Sequence, residues 1–193
     1  GYFINGKKHG TGTYTLVNGN LYTGNFENGK RHGMGAINYQ NGDHYVGDFK
    51  NDKKHGRGTY TWLNQNLYDG NYLFGKENGL GTLFFNNGDK YKGEFVDGGR
   101  DGNLKGTYTW VDGSIYKGNF FDEMMDGEGI YIWTNGQTYN GEWKNDKRHG
   151  FGTITTPSGY PYSGEFRNNE YVSFICENLG FKAGTSPYKT CMS

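Results

Sequence analysis

Apolar and polar positions alternate along this chain in short bursts. In Tyr22-Thr23-Gly24-Asn25-Phe26 the rings and the glycine take every second position, and Gly33-Met34-Gly35-Ala36-Ile37-Asn38-Tyr39 keeps the same period. A period of two predicts short β-strands. Asn28-Gly29 predicts a tight reversal between the two runs, and Asn41-Gly42-Asp43 predicts the next, because glycine takes the positive φ such turns need. Each unit reads as a β-hairpin. With Gly24 opposite Gly35, Tyr22 falls opposite Ile37, so one face carries aromatic rings over glycines that have no side chain to obstruct them.

The hairpin recurs. The skeleton is Tyr-x-Gly-x-aromatic, a polar turn, then Gly-x-Gly, as in Tyr139-Asn140-Gly141-Glu142-Trp143 followed by Lys147-Arg148-His149-Gly150-Phe151-Gly152. Its opening tyrosine stands at 22, 45, 68, 91, 116, 139 and 162, a step of 23 residues except for the 25 between Tyr91 and Tyr116. A fixed period of this size means an array of one small unit and overrides the domain count that length alone suggests. With strands about 4.8 Å apart and two per repeat, each repeat advances roughly 10 Å, giving a twisted rod of about 70 Å. Phe3 aligns with Phe26, so the chain opens inside a repeat, and residue 1 is expected to be a boundary within a longer one.

Composition supports order: glycine is 35 of 193 residues, but the glycines are in register and aromatic residues reach 18%. Lysine plus arginine equals aspartate plus glutamate at 20 each, so no global field draws the chain to nucleic acid. Cys176 and Cys191 both fall near the C-terminus and there is no Asn-x-Ser/Thr sequon, which leans toward a reducing, cytoplasmic compartment. No apolar run approaches a membrane span, and no signal-peptide pattern opens the chain.

The repeat resembles the MORN (membrane occupation and recognition nexus) family, whose consensus is Tyr-x-Gly-x-Trp, a turn often ending in His-Gly, then Gly-x-Gly. All seven tyrosines are followed by the glycine and the aromatic residue, and His-Gly-x-Gly stands at His9, His32, His55 and His149. Repeats four and six carry Asn78-Gly79-Leu80-Gly81 and Asp126-Gly127-Glu128-Gly129 instead. In repeat five Asp97 to Gly106 replaces the usual turn with two extra residues. The eighth unit, from Tyr162, has Ser173 and Ile175 where the glycines would fall. The resemblance implies an all-β, elongated single-layer antiparallel hairpin solenoid over residues 1–170, with 171–193 as a C-terminal cap. It also implies a non-catalytic interaction scaffold or targeting module in ciliary, cytoskeletal or membrane-associated assemblies. In some similar proteins the ringed groove seats a partner's helical segment.

No constellation suggests catalysis, a cofactor or a metal. The recurring histidines lack Cys, Asp or Glu at ligand spacing, and the Gly-x-Gly pairs sit in hairpin strands rather than between strand and helix. Three surfaces remain as candidates. The first is the ringed face, with Tyr22, Tyr45, Tyr68, Tyr91, Tyr116 and Tyr139 in one row and Phe26, Phe49, Tyr72, Phe95, Phe120 and Trp143 in a second, expected both to stabilise the sheet and to bind a partner. The second is an apolar patch on the opposite parity, Leu80, Phe84, Phe121, Ile130 and Ile132, with Met124 and Met125 in an adjoining turn, expected to be covered by the C-terminal segment or a second copy. The third is a basic stripe of turn residues, Lys7, Lys8, Lys30, Arg31, Lys53 and Lys54, read either as a solvated edge that discourages aggregation or as a seat for an anionic phospholipid surface. The alternatives to a scaffold are that lipid-binding module and the targeting arm of a larger enzyme.

Overall fold

The structure, a computed structural model, describes residues 1–100 and 104–172. It is all-β and divides into two compact units, Gly1–Gly99 and Arg100–Ser193. The first holds β1 (Tyr2–Ile4), β2 (Lys7–Thr15), β3 (Leu21–Glu27), β4 (Lys30–Asn38), β5 (His44–Lys50), β6 (Lys53–Thr61), β7 (Leu67–Leu73), β8 (Lys76–Phe84) and β9 (Lys90–Phe95). The second holds β10 (Leu104–Thr109), β11 (Ile115–Phe121), β12 (Met124–Ile132), β13 (Thr138–Lys144), β14 (Lys147–Thr155), β15 (Pro161–Arg167) and β16 (Glu170–Tyr171). Within each unit consecutive strands pair antiparallel, so each is an open meander of hairpins. Among the described residues no helix is long and apolar enough to cross a membrane.

The register follows the alternation up to a bulge that the alternation does not reveal. Tyr22 pairs with Ile37 and Gly24 with Gly35, but Phe26 then pairs with Arg31, leaving Asn25 opposite the three residues from His32 to Met34. The same shift recurs in the hairpins of β5 with β6, β7 with β8, β11 with β12 and β13 with β14. The glycine of the His-Gly pair in these hairpins takes the left-handed conformation the bulge requires, with φ of 64° at Gly33 and 58° at Gly56 and Gly150. The two glycines of Gly-x-Gly therefore serve different ends. The first bends the strand, and the second makes room for a ring.

Three expectations about turns need correction. Lys30-Arg31-His32 and its counterparts begin the second strand of the hairpin rather than forming the turn. The reversal takes only two residues, Asn28-Gly29 with φ of 52° and 85°, or Asn51-Asp52 with 50° and 70°. Positive φ at both is the I′ geometry, whose twist matches the flanking strands, so no residue is left over for a loop. Met124 and Met125 likewise open β12, and the turn is Asp122-Glu123. In repeat five the reversal is the ordinary one, since Val96 bridges Gly99 around Asp97-Gly98. Counting from that turn, Arg100 takes the place of Arg31, and the two extra residues fall beyond it, next to 101–103, which lie outside the described residues.

Successive tips are tied together by backbone. The N–H groups of Gly29, Asp52, Gly75 and Gly98 donate to the carbonyls of Lys8, Arg31, Lys54 and Glu77 at 2.8 to 3.0 Å, and Asp146 and Asn169 repeat the bond to Met125 and Arg148 at 3.0 Å. At the opposite loops the Asn20, Asp43 and Asn66 side chains accept from the N–H groups of Gln40, Leu63 and Asn86 in the next repeat. At the last repeat Tyr162 is 43% exposed, and the ring beside Gly164 is that of Tyr171, whose hydroxyl donates to Ser163 O at 2.9 Å. Of the expected cap only Tyr171 and Val172 are described, Val172 being buried; Ser173, Ile175 and the residues up to 193 lie outside the described residues.

A β-carbon added at Gly35 would meet the Tyr22 ring at 2.5 to 2.7 Å. Gly35→Ala is therefore expected to destabilise the chain by roughly 1–3 kcal/mol, the usual cost of overpacking. Urea unfolding measures it, and a midpoint no lower than that of the unchanged protein would contradict the ring-over-glycine arrangement.

Candidate interaction face

The first row of tyrosines is the core. Tyr22, Tyr45, Tyr68, Tyr91, Tyr116 and Tyr139 are 0 to 1% exposed. Five of the rings lie across a facing glycine pair: Gly24 and Gly35 for Tyr22, Gly47 and Gly58 for Tyr45, Gly70 and Gly81 for Tyr68, Gly118 and Gly129 for Tyr116, and Gly141 and Gly152 for Tyr139. Each hydroxyl then donates to the carbonyl three residues ahead, at 2.8 Å from Tyr22 to Asn25, 2.9 Å from Tyr45 to Asp48 and 3.0 Å from Tyr68 to Asn71. Tyr91, Tyr116 and Tyr139 repeat the bond to Glu94, Asn119 and Glu142. A buried phenol with its proton spent on its own backbone is structural, and it offers no atom to a partner.

The second row locks the first. Tyr22 meets Phe26 and Phe49 edge-on at 5.0 and 5.2 Å, and Tyr45 meets Phe49 and Tyr72 at 5.2 Å. Tyr68 meets Phe95 at 4.9 Å; in the second unit Tyr116 and Tyr139 both meet Trp143, at 5.4 and 5.2 Å. Each edge-to-face pair contributes about 0.5–1.5 kcal/mol beyond its buried area. Phe26, Phe49, Tyr72, Phe95, Phe120 and Trp143 are 2 to 7% exposed, and the Trp143 indole donates to Gly129 O at 3.2 Å. In each unit the expected ring residues thus share one face, as its buried layer.

Burial without compensating solvation resists forming a phenolate. It pushes the Tyr22 hydroxyl up to about 12, with Arg31 pulling the other way, and the Tyr139 hydroxyl up to about 12 against Arg148. Burial first, and neighbouring carboxylates second, also raise Tyr45, Tyr68, Tyr72 and Tyr116.

The accessible surface of this face is made by residues that sequence reasoning passed over. Two positions beyond the facing residues Ile37 and Tyr60 stand Tyr39 and Trp62, half-buried, with Leu16 and Phe85 at the same place in the neighbouring repeats. In the first unit Tyr39 and Tyr60 lie 5.7 Å apart and Tyr60 and Trp62 4.9 Å. In the second, Tyr108, Trp110, Tyr131 and Trp133 form a continuous run at 4.6, 5.0 and 4.7 Å. The signal was available, since Leu16, Tyr39, Trp62, Phe85, Trp110 and Trp133 also recur at the repeat step. They were overlooked because they stand past the strand ends, beside the loop. Tyr60 is anchored there by Asp43, which accepts its hydroxyl at 2.6 Å and the Leu63 N–H at 2.9 Å. The Tyr60 bond, ahead of all else, holds the Asp43 carboxyl below the usual carboxylate range.

The basic stripe divides by parity. Lys7, Lys30 and Lys53 are exposed, whereas Lys8, Arg31 and Lys54 lie on the ringed face. The Lys8 ammonium is 3.0 Å from the Tyr14 ring centre, and Arg31 lies 5.5 Å from Phe49. Arg31 is also held by Asp52, at 3.2 Å through Nε and 2.6 Å to the backbone carbonyl. Lys54 stands among Tyr60, Tyr72 and Tyr45 at 4.4, 4.8 and 5.4 Å, and burial holds its ammonium below the ordinary lysine range. Between these cations and the loop-side rings runs a groove of about 340 Å³, lined by Leu16, Asn20, Arg31, Ile37, Tyr39, Phe49, Asp52 and Lys54 among others.

The expected apolar patch falls in both units and is described in each. In the first, Leu80 and Phe84 are 67% and 43% exposed; in the second, Phe121 and Ile130 are 53% and 38% exposed, with Met124 and Ile132 half-buried. Met125 belongs to the other face: it is 8% exposed and pairs with Phe120, at the position of Arg31 and Lys54. Parity decides this, because adjacent residues of one strand face opposite ways. Among the described residues no cluster of His, Cys, Asp or Glu has the geometry to hold a metal ion.

A periodic ring-over-glycine sheet of hairpins defines a class, and the chain belongs to it: the MORN repeat family model matches residues 1–21, 22–44, 45–66, 68–90, 91–115, 116–138 and 139–159, so this is a MORN repeat protein. A comparison with curated protein sequences gave no match. Among solved structures it is similar to the TCP domain of Drosophila melanogaster Sas-4 in complex with a proline-rich motif of Ana2, at 13% identity and a TM-score of 0.50, covering 81% of this chain and 90% of that one. The TCP10c domain of Drosophila melanogaster Sas-4 matches at 15% identity and a TM-score of 0.48, covering 82% and 93%. These likenesses are of fold.

The raised tyrosine hydroxyls set an alkaline limit. With the Tyr22 hydroxyl at about 12 in the folded chain against 10.0 unfolded, the unfolded state loses its proton first, so stability is full below pH 10 and falls between 10 and about 12. Phenolate absorbance from Tyr22, Tyr45, Tyr68, Tyr116 and Tyr139 is expected to appear together with unfolding in an alkaline titration. Their ionisation in a chain that keeps its far-ultraviolet dichroism would contradict this.

Proposed function

We propose that this chain is a non-catalytic protein-interaction scaffold or targeting module that receives a segment of a partner protein along its ringed face. The carrying observation is the second tier of rings. Tyr39 and Trp62 in the first unit, and Trp110, Tyr131 and Trp133 in the second, lie half-exposed above a core that the tyrosine rows already complete. Rigid, half-exposed Tyr and Trp bordered by cations supply large contact area at low entropic cost, and these residue types dominate protein-binding hot spots. The Sas-4 domain is described with a motif of another protein bound, which supports the view that such a sheet can seat a peptide.

On this reading the chain works by position and shape, in a cytoplasmic assembly of the cytoskeletal, ciliary or membrane-associated kind that its family resemblance implies. The lipid reading has less support, since only Lys7, Lys30 and Lys53 of the six stripe residues stand exposed, and each contributes about 1 kcal/mol at an anionic surface.

A photoreactive amino acid placed at Trp62, and separately at Val46 on the opposite parity, tests the reading. Cross-links to a partner are expected from position 62 and not from 46. The reverse would move the site to the other face, and cross-links to a second copy would make the face a self-association surface. Vesicle sedimentation at physiological salt tests the alternative, with no binding to anionic vesicles expected.

A further inference from the structure

Resting on the reading that the ringed face binds a partner segment, we propose that in the first unit this segment is a polyproline II helix with proline at every third residue, lying across the strands along the row of Leu16, Tyr39 and Trp62, the first two of which line the groove. Spacing is the first argument. Those three residues hold one position in consecutive repeats, and two strands per repeat set equivalent side chains roughly 9.6 Å apart. A polyproline II helix has three residues per turn and advances about 9.3 Å per turn. Prolines at every third position therefore stay nearly in step with the row. Two turns of an α-helix advance about 10.8 Å and drift by more than 1 Å at each repeat. An extended strand returns to one face every two residues, about 6.7 Å, and falls out of step at once.

Hydrogen bonding supplies the second argument. The core tyrosine hydroxyls and the Trp143 indole are all spent on backbone carbonyls of this chain. Along this row and its facing bank the Tyr39 hydroxyl, the Trp62 indole N–H and the Lys54 ammonium have no hydrogen-bond acceptor among the described residues. Asp43 and Asp52 do not serve them, since Asp43 takes Tyr60 and Leu63 and Asp52 takes Arg31. A ligand that covers these donors displaces their water and must supply acceptors in its place. An α-helix has consumed its carbonyls internally, whereas a polyproline II segment makes no internal hydrogen bonds and presents every carbonyl. Lys54, which feels Glu77 and Asp43 but forms no ion pair with either, together with Lys8 and Arg31 on the same bank, adds a preference for an acidic residue at one of the positions between prolines.

The experiment displays three peptide libraries to the whole chain. One fixes proline at every third position with the others random, one fixes it at every fourth, and one carries an amphipathic helical heptad. The period-three library is expected to be enriched, with an acidic residue recurring at one intervening position. A selected peptide should shift the Trp62 indole proton resonance. It should bind Trp62→Ala at least tenfold more weakly, and Lys54→Met and Tyr39→Phe more weakly than the unchanged chain, while far-ultraviolet dichroism is retained in all three variants. Equal enrichment at period four, or no enrichment of the period-three library, overturns the proposal. Selection of heptad peptides that shift the Trp62 resonance also overturns it but leaves the ringed face as the binding surface. Selected peptides that shift only resonances of the opposite face overturn both.

Discussion

The close approach of a tyrosine ring to a pair of backbone glycines is the contact on which the rest of this structure depends. Sheets ordinarily bury a face against another layer, but here the layer is supplied by side chains of the sheet itself. Tyr45 can lie flat across Gly47 and Gly58 only because neither carries a β-carbon, and its hydroxyl then reaches the Asp48 carbonyl. The second row closes over the first, so hairpins of about 23 residues become stable by stacking with their neighbours rather than alone.

That economy has a functional consequence. The tyrosine rows complete the core, so the rings beyond the strand ends are not needed to fill it. Tyr39, Trp62 and the Tyr108 to Trp133 run are anchored at one edge and open at the other, and the cations Arg31 and Lys54 form the opposite bank of the groove in the first unit. The proposed interaction surface repeats as the fold repeats. Replacement of the cation by Glu77 in repeat four and Met125 in repeat six varies its charge along the row.

Much of the fold was legible in the sequence, because hairpin pairing is local and the glycine and tyrosine positions mark the register directly. Tyr22 opposite Ile37 and Gly24 opposite Gly35 follow from alternation alone. The bulge at His32-Gly33-Met34 did not, since an inserted pair of residues inside a strand looks like a longer turn, and that one error placed the basic residues and Met124-Met125 in loops. The site was less legible for a related reason. Periodicity shows that a ring recurs, not whether the ring lies beneath or above its neighbours. The regular Tyr22 and Phe26 rows proved to be core, while the less regular row of Leu16, Tyr39, Trp62 and Phe85 holds the exposed edges.

Nitration of tyrosine under native conditions, read by peptide mass spectrometry, tests most directly the division between core rings and surface rings. The account predicts rapid modification of Tyr2 and Tyr160, which are 58% and 74% exposed, and none of Tyr22, Tyr45, Tyr68, Tyr91, Tyr116 or Tyr139 until urea unfolds the chain. Modification of Tyr45 or Tyr68 in the folded protein at the rate of Tyr160 would contradict it.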